Sequence, residues 1–374
     1  MGHDPLRLYV AATRQNEGKT LTSLGLIAAL RKRFERIGYM KPVGQRFVEV
    51  EGHKVDEDAV MVREACGIDC DIADMSPIAV PPGFTESYIM NPNRSALVRQ
   101  ITEAFERVAD GKEVVILEGT GHAGVGSVID LSNGEVAALL EAPVLLVTQG
   151  GVGRPIDEIM LNRATFDANG VHVLGAVVNK VIPDKLEKID RLTRMGLERK
   201  GVEALGVMPF NPVLTSPTLE QLLDEVNGEL LSGERGLKNS VTRMLIGAMP
   251  PHDLLDYLGT GCLLITPGNR EDLILAAMSS CVVGVGKESC VSGMILTCGI
   301  KPHDTVLRLI RRTDIPVILV EHDTFQLASN VDRLIVKIRA SDTEKLRAAE
   351  ALVCEYVDVD RVLELMEQAQ AVPA

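Results

Sequence analysis

The stretch Ala12-Thr13-Arg14-Gln15-Asn16-Glu17-Gly18-Lys19-Thr20 decides the reading of this 374-residue chain. It follows an apolar run, Leu6 to Ala12, that reads as a strand, and it precedes Leu21 to Phe34, which reads as a helix with Leu24, Ile27, Ala28 and Leu30 on one face. Gly18-Lys19-Thr20 is the core of a phosphate-binding loop. In such a loop the backbone N–H groups and the helix N-terminus meet phosphate oxygens. Lys19 neutralises β/γ-phosphate charge there, and the Thr20 hydroxyl is placed to ligate Mg²⁺. Thr13 stands where the usual G-x-x-x-x-G-K-[ST] spacing has its first glycine, so the strand–loop–helix setting carries the assignment. An ordinary helix start is the competing reading.

Outward from this loop the pattern repeats. Val114 to Leu117, Val144 to Val147, Val173 to Val178 and Ala204 to Met208 are continuous apolar runs separated by helix-like segments, and Ile37 to Val43 is a further short strand. Such runs indicate a parallel sheet covered on both faces, hence an α/β fold. Glu118 ends one of them, where an acid that completes a Mg²⁺ shell belongs. Asp56, Glu57 and Asp58 precede the helix pattern Ala59 to Val62 and read equally well as an N-cap with first-turn acids. The two prolines of Phe210 to Pro217, a helix-like stretch from Thr218 to Leu231 and the polar Gly233 to Asn239 suggest a boundary. The expected organisation is a nucleotide domain over 1–212, a linker over 213–240 and a smaller α/β domain over 241–374. Strands of that domain are expected at Val241–Met249, Cys262–Thr266, Val291–Thr297, Pro316–Val320 and Leu334–Ile338.

Composition narrows the function classes. About 150 residues per domain predicts two domains. Lys and Arg number 39 against 52 Asp and Glu, a net charge of −13 that disfavours nucleic acid and anionic lipid. Aromatics are 3%, which argues against base-stacking platforms. No stretch is long and apolar enough to span a membrane. The N-terminus is unlike a signal peptide. The seven cysteines include no CxxC pair, so structural zinc is not expected; reduced, buried cysteines in a cytoplasmic protein are.

The first 210 or so residues resemble the dethiobiotin synthetase branch of P-loop proteins, and most of all the dethiobiotin-synthetase-like N-terminal region of long phosphotransacetylases. The motifs are the loop from Ala12 to Thr20, Tyr39-Met40-Lys41-Pro42-Val43-Gly44, Asp58-Ala59, Glu118-Gly119-Thr120-Gly121 and Gly175-Ala176-Val177-Val178-Asn179-Lys180. The resemblance implies that Lys19, Lys41 and Glu118 do the chemistry, with Lys41 near the γ-phosphate or the group being phosphorylated. It implies that Thr20, Asp58 and Glu118 hold Mg²⁺. Thr13, Arg14, Asn16, Glu17, Gly18, Lys19 and Thr20 would contact ATP, and Asn179 would read adenine through its amide.

Two features depart from that family. Arg14, five positions before Lys19, stands where related dimerising ATPases carry a lysine; it reaches a phosphate across a homodimer or faces solvent. The Gly-rich Gly119 to Asn133 differs from a dethiobiotin synthetase substrate loop and offers His122 as a base or as a plain loop residue. Gln149 to Pro155 reads as a helix start whose N–H groups could meet an anion, or as a tight turn. Residues 225 to 355 resemble the DRTGG domain of phosphotransacetylases, carried by Ile265 to Asp272, Gly293 to Gly299, Ile315-Pro316-Val317 and His322 to Phe325. There the Thr266–Asp272 turn and Arg270 could hold a small anionic effector, or simply cap a helix.

An acyl-transfer domain would not fit in the remaining length, so the chain is not expected to be an acetyltransferase by itself. No Cys lies in a glutaminase-type turn. Two functions follow. The chain hydrolyses ATP or uses it to activate a small carboxylate or carbamate; or it is a nucleotide-gated regulator, homodimeric or larger, whose second domain senses a metabolite and acts on a partner enzyme.

Overall fold

The computed structural model describes residues 4–283, 290–334 and 336–371. The chain divides into two compact units, Met1–Asn211 with Ile338–Ala374, and Pro212–Lys337.

The first unit is built on six strands: β1 (Leu6–Ala12), β2 (Ile37–Met40), β3 (Val114–Glu118), β4 (Val144–Gln149), β5 (Val173–Val181) and β6 (Ala204–Pro209). They lie in the order β6-β5-β4-β1-β3-β2, all parallel. Both faces are covered, which is why Leu8 to Ala12 and Val114 to Glu118 are buried without alternation. The helices are α1 (Lys19–Leu30), α2 (Glu57–Cys66), α3 (Arg94–Ala109), α4 (Gly153–Ala168) and α5 (Leu186–Glu198). The chain runs from β1 out to β2, returns to β3 beside β1, then crosses to β4 on the other side. The carboxyl ends of β1 and β3 therefore flank the point where strand order reverses, the place where open α/β sheets bind ligands.

The second unit holds α6 (Leu219–Glu225), β7 (Glu229–Ser232), β8 (Arg243–Ile246), β9 (Cys262–Pro267), α7 (Glu271–Val283), β10 (Gly293–Thr297), α8 (Asp304–Ile310), β11 (Val317–Leu319) and α9 (Thr324–Asp332). Its sheet runs β7-β11-β10-β9-β8, parallel except for β7. One face packs under α7 and α8, the other under α6 and α9.

These units correct the expected boundaries. The segment 213–240 is no linker. Thr218 and Gln221 form a capping box that starts α6, and Glu229–Ser232 becomes the antiparallel edge strand β7. Four residues of strand are too few to show a period, so a helix running on to Leu231 was the natural expectation. Residues 338–371 do not belong with 241–337. The described residues of Leu334–Ile338 form no strand, and Ile335 lies outside the described residues. Beyond them α10 (Thr343–Tyr356) packs on α1 and β6, and α11 (Val359–Ala371) packs on β1. Both helices show a buried stripe, Ala349, Leu352 and Val353 on one and Val362, Leu363 and Met366 on the other. An amphipathic stripe says which side is covered but not by which sheet.

The cysteines also depart from expectation. Cys281 and Cys290 are joined as a disulfide, with Cα atoms 4.2 Å apart; Cys66, Cys70, Cys262, Cys298 and Cys354 are free thiols.

Candidate active site

The loop after β1 has the backbone shape expected of a phosphate-binding loop. Asn16 (φ 62°) and Gly18 (φ 102°) take left-handed backbone, the geometry in which successive N–H groups turn toward one concavity. Gly18 is required there. A Cβ would lie 2.2 Å from Nδ2 of Asn179. The Asn179 amide is buried at the end of β5, donates to the carbonyl of Glu17 at 2.9 Å and accepts from the Lys180 N–H at 2.8 Å. Asn179 is thus a brace for the loop, and one amide hydrogen and one lone pair are engaged that the expected adenine contact would draw on. Lys180 adds a second brace by donating to the carbonyl of Asn16 at 2.5 Å.

Sheet register brings the remaining residues to this loop. Val10 lies opposite Glu118, and Met40 opposite Leu117, so Lys41 emerges beside Glu118 just past the end of β2. The Thr20 hydroxyl donates to Oε1 of Glu118 at 2.7 Å, and the Tyr39 hydroxyl donates to Oε2 at 3.0 Å. The Lys41 ammonium is bonded to Asp58, lies 3.1 Å from Asp56 and is 3.8 Å from Glu118. Asp56 was expected as an N-cap and is one, accepting from the Asp58 N–H at 2.9 Å, but it also faces the lysine. Gly44 lets it in, since a Cβ there would fall 2.5 Å from the Cβ of Asp56.

Lys19 is buried and donates to the carbonyl of Gly121 at 3.3 Å. Burial depresses its pKa to about 8, against the pull of Glu118. Burial also raises Glu118, opposed first by Lys41. For Lys41 burial works downward, but Asp58, Glu118 and Asp56 together hold it well above the ordinary lysine value. Glu17, buried at the loop with Oε2 unpartnered among the described residues, is pushed up by burial while Lys180 opposes.

The Gly-rich segment after Glu118 is staked down by two asparagines that sequence reading missed. Oδ1 of Asn133 accepts from the Tyr9 hydroxyl (2.8 Å) and the Thr120 N–H (3.1 Å), and its Nδ2 donates to the carbonyls of Thr120 and His122. Asn162 accepts from the Ala123 N–H at 2.8 Å. Nothing in the local sequence distinguishes these from surface asparagines. His122 is exposed, and its Nδ1 accepts from the Gly124 N–H, a turn contact. Arg14 is half exposed and bonded at 2.7 Å to Glu158 of its own chain, which also takes Arg154 and the Thr13 hydroxyl. In the Gln149 to Pro155 turn α4 begins at Gly153, with Gly151 in left-handed backbone.

Among the described residues, no group of three or more His, Cys, Asp or Glu is arranged to hold a metal. The site still fits Mg²⁺. That ion takes hard oxygen ligands, commonly from one or two carboxylates completed by phosphates and water. Thr20, Asp58 and Glu118 supply such oxygens, and a cation, the Lys41 ammonium, already lies against both carboxylates.

In the second unit Arg270, the expected anion contact, is engaged by Asp272 at 2.9 Å and donates to the carbonyl of Met249. A cavity of about 470 Å³ lies instead among Arg235, Asn239, Cys281, Cys290 and Arg312. It is at the C-terminal ends of α7 and α8. Helix ends of that polarity favour cations, so arginine there offsets the dipoles.

Residues 6–218 match the AAA domain family, more than half of the chain. The chain belongs to the AAA domain family. Its AAA domain is of the P-loop, nucleotide-binding kind, and residues 221–334 match the DRTGG domain. The chain is 27% identical over 361 residues to a phosphate acetyltransferase of Nitratidesulfovibrio vulgaris, covering 94% of this chain and 50% of the relative. It is 22% identical over 380 residues to that of Escherichia coli K12, covering 94% and 52%. The chain thus spans about half the length of these relatives. Solved structures similar to it include MinD of Pyrococcus horikoshii with Mg-ADP (12% identity, TM-score 0.34, 56% of this chain and 82% of that one). Another is the CBS and DRTGG regulatory region of Clostridium perfringens pyrophosphatase with diadenosine tetraphosphate (20%, 0.27, 37% and 60%). Among the described residues no helix is long and apolar enough to cross a membrane.

Proposed function

We propose that the AAA domain binds Mg-ATP and that its occupancy is a regulatory signal, read by the DRTGG domain and by an acyl-transferring partner or domain. The convergence of Lys19, Thr20, Asp58 and Glu118 on the loop after β1 is the observation that carries the binding. Lys19 and the loop N–H groups would hold the phosphates; Thr20, Asp58 and Glu118 would hold Mg²⁺, which supplies charge neutralisation at the β- and γ-phosphates. Regulation is favoured over turnover for two reasons. The one histidine of the Gly-rich segment is engaged in a turn, and phosphate acetyltransferase, the name of the relatives, describes a reaction that uses no ATP. The Cys281–Cys290 disulfide weighs against the cytoplasmic placement that also belongs to this reading. A homodimer belongs to it as well, and a reach of Arg14 to a phosphate across that dimer would require it to leave Glu158.

Lys41 beside the Gly-rich segment favours a second reading, in which a small carboxylate or carbamate is phosphorylated. Calorimetric titration of Mg-ATP into wild type and Lys19→Ala, with ADP release followed on the same samples, separates them. Binding lost in the variant with negligible turnover supports the regulator. Turnover accelerated by a small acid supports the enzyme. No binding by wild type refutes both.

A further inference from the structure

Lys41 does more here than await a phosphate. We infer that its ammonium is a built-in counter-ion for the acidic cluster, and that it and a divalent ion exclude one another from Asp58 and Glu118, so that metal enters with nucleotide and not before it.

The geometry is specific. The Lys41 side chain is 6% exposed and has three carboxylates around its ammonium. The Glu118 oxygen that faces it, Oε1, is the same one that accepts from Thr20. A metal drawing on Asp58 and Glu118 would therefore compete with the ammonium for Oδ2 of Asp58, which it bonds, and for Oε1 of Glu118, which it faces. Oε2 of Glu118 accepts from Tyr39, and Oδ1 of Asp56, 3.1 Å from the ammonium, also accepts from the Asp58 N–H. The lysine backbone cannot drift away: its N–H donates to the carbonyl of Met75 at 2.7 Å, and β2 is in register with β3. Only the flexible side chain can move.

Charge explains why the lysine is needed. Asp56, Asp58 and Glu118 would place three negative charges in a buried site where Lys19 is the one other nearby cation described. A buried carboxylate cluster without a counter-charge is strongly unfavourable. The ammonium satisfies it when no metal is present. A phosphate in the loop after β1 gives the ammonium another anion, and its departure opens Asp58 and Glu118.

This last step rests on the nucleotide-binding reading; the exclusion itself does not. The test is Mn²⁺ titration, followed by the electron paramagnetic resonance of free Mn²⁺, into the full chain without nucleotide. Wild type should bind Mn²⁺ no tighter than about 1 mM, and Lys41→Met should gain a single site about tenfold tighter or better. That site should vanish in Lys41→Met combined with Asp58→Asn. Equal affinity in wild type and Lys41→Met overturns the inference. Should Lys41→Met be unstable without metal, its melting temperature must rise with Mn²⁺ more than that of wild type; an equal rise overturns it too. A non-hydrolysable ATP analogue added to wild type should then create a tight Mn²⁺ site, read as the loss of free Mn²⁺ beyond that caused by the same analogue without protein. An analogue that binds without creating it refutes the ordered entry. An analogue that does not bind refutes the proposed function, and the exclusion is then decided by the metal titrations.

Discussion

Replacing two helix glycines by alanine should move stability in opposite directions. Gly25 lies in α1 and Gly196 in α5. In a helix interior, glycine to alanine is worth about 1 kcal/mol of stabilisation. What opposes it differs between the sites. A Cβ on Gly25 would fall 2.3 Å from Cγ2 and 2.6 Å from Cβ of Val353, and 2.9 Å from the carbonyl oxygen of Ala349. A methyl can rotate away, but a Cβ and a helix carbonyl move only if α10 moves. Overpacking of this kind costs about 1–3 kcal/mol. Gly25→Ala should thus be destabilising, by about 1 kcal/mol once the propensity gain is subtracted. A Cβ on Gly196 meets only the far end of Ile156, Cδ1 at 2.5 Å, which can swing aside. Gly196→Ala should keep most of its gain. For a unit of this size 1 kcal/mol shifts the melting temperature by about 2–4 °C. The two variants should therefore differ by about 4–8 °C in scanning calorimetry, with wild type between them. If Gly25→Ala melts at or above wild type, α10 is not seated on α1, and the assignment of 338–371 to the first unit is wrong.

Two further outcomes follow from the site. Lys19 has a folded pKa of about 8, below the roughly 10.4 of an unfolded lysine. Between those values the unfolded state holds more protons. The burial cost of the charged lysine is therefore fully present below pH 8 and relieved as pH rises through the window, a stability increase visible in urea titrations. Over the same window affinity for metal-free ADP, measured in EDTA, should weaken by up to about tenfold per pH unit, because phosphate favours the protonated form; a flat profile refutes the contact. Asn179→Ala should remove the loop brace. Losing one buried hydrogen bond of about 1 kcal/mol weakens nucleotide binding about fivefold with all bases alike, whereas loss confined to adenine nucleotides in calorimetry would assign Asn179 to base reading.

The sequence disclosed this fold where the signal was local. Strand β1 spans the same residues, Leu6 to Ala12, that the apolar run marked, and α1 begins two residues before its expected start because Gly18 ends the loop. Glu118 was marked because it closes a buried strand, and Lys41 through the resemblance. One failure was local, the strand Glu229–Ser232, too short to show a period; the larger one was long-range. The return of 338–371 depends on a face of α1 where Gly25 lets α10 approach closely, and a small residue in a helix does not say which distant segment will cover it.

Asp56 and Asn179 show why site roles were harder to read than site positions. Asp56 was read from its neighbours in sequence as an N-cap, and Asn179 from the resemblance as a base contact. In the structure Asp56 adds an ion pair to its cap, and Asn179 bonds the loop. Asp56 caps α2 with one oxygen while facing Lys41, because Gly44, twelve residues earlier, has no side chain to keep it out. Asn179 reaches the carbonyl of Glu17 because Gly18 has no Cβ in its path. In both cases the deciding residue is a glycine that acts through the side chain it lacks, so its effect on a distant residue shows only after the fold has brought the two together. The prediction this supports is a shared one. A side chain at Gly44 should displace Asp56 from Lys41 and weaken the acidic cluster without touching any residue of the loop, so that Gly44→Ala lowers the stability of nucleotide-free protein. Melting temperatures with and without Mn²⁺ would show it, and an unchanged value in both would mean that Asp56 is an N-cap and nothing more.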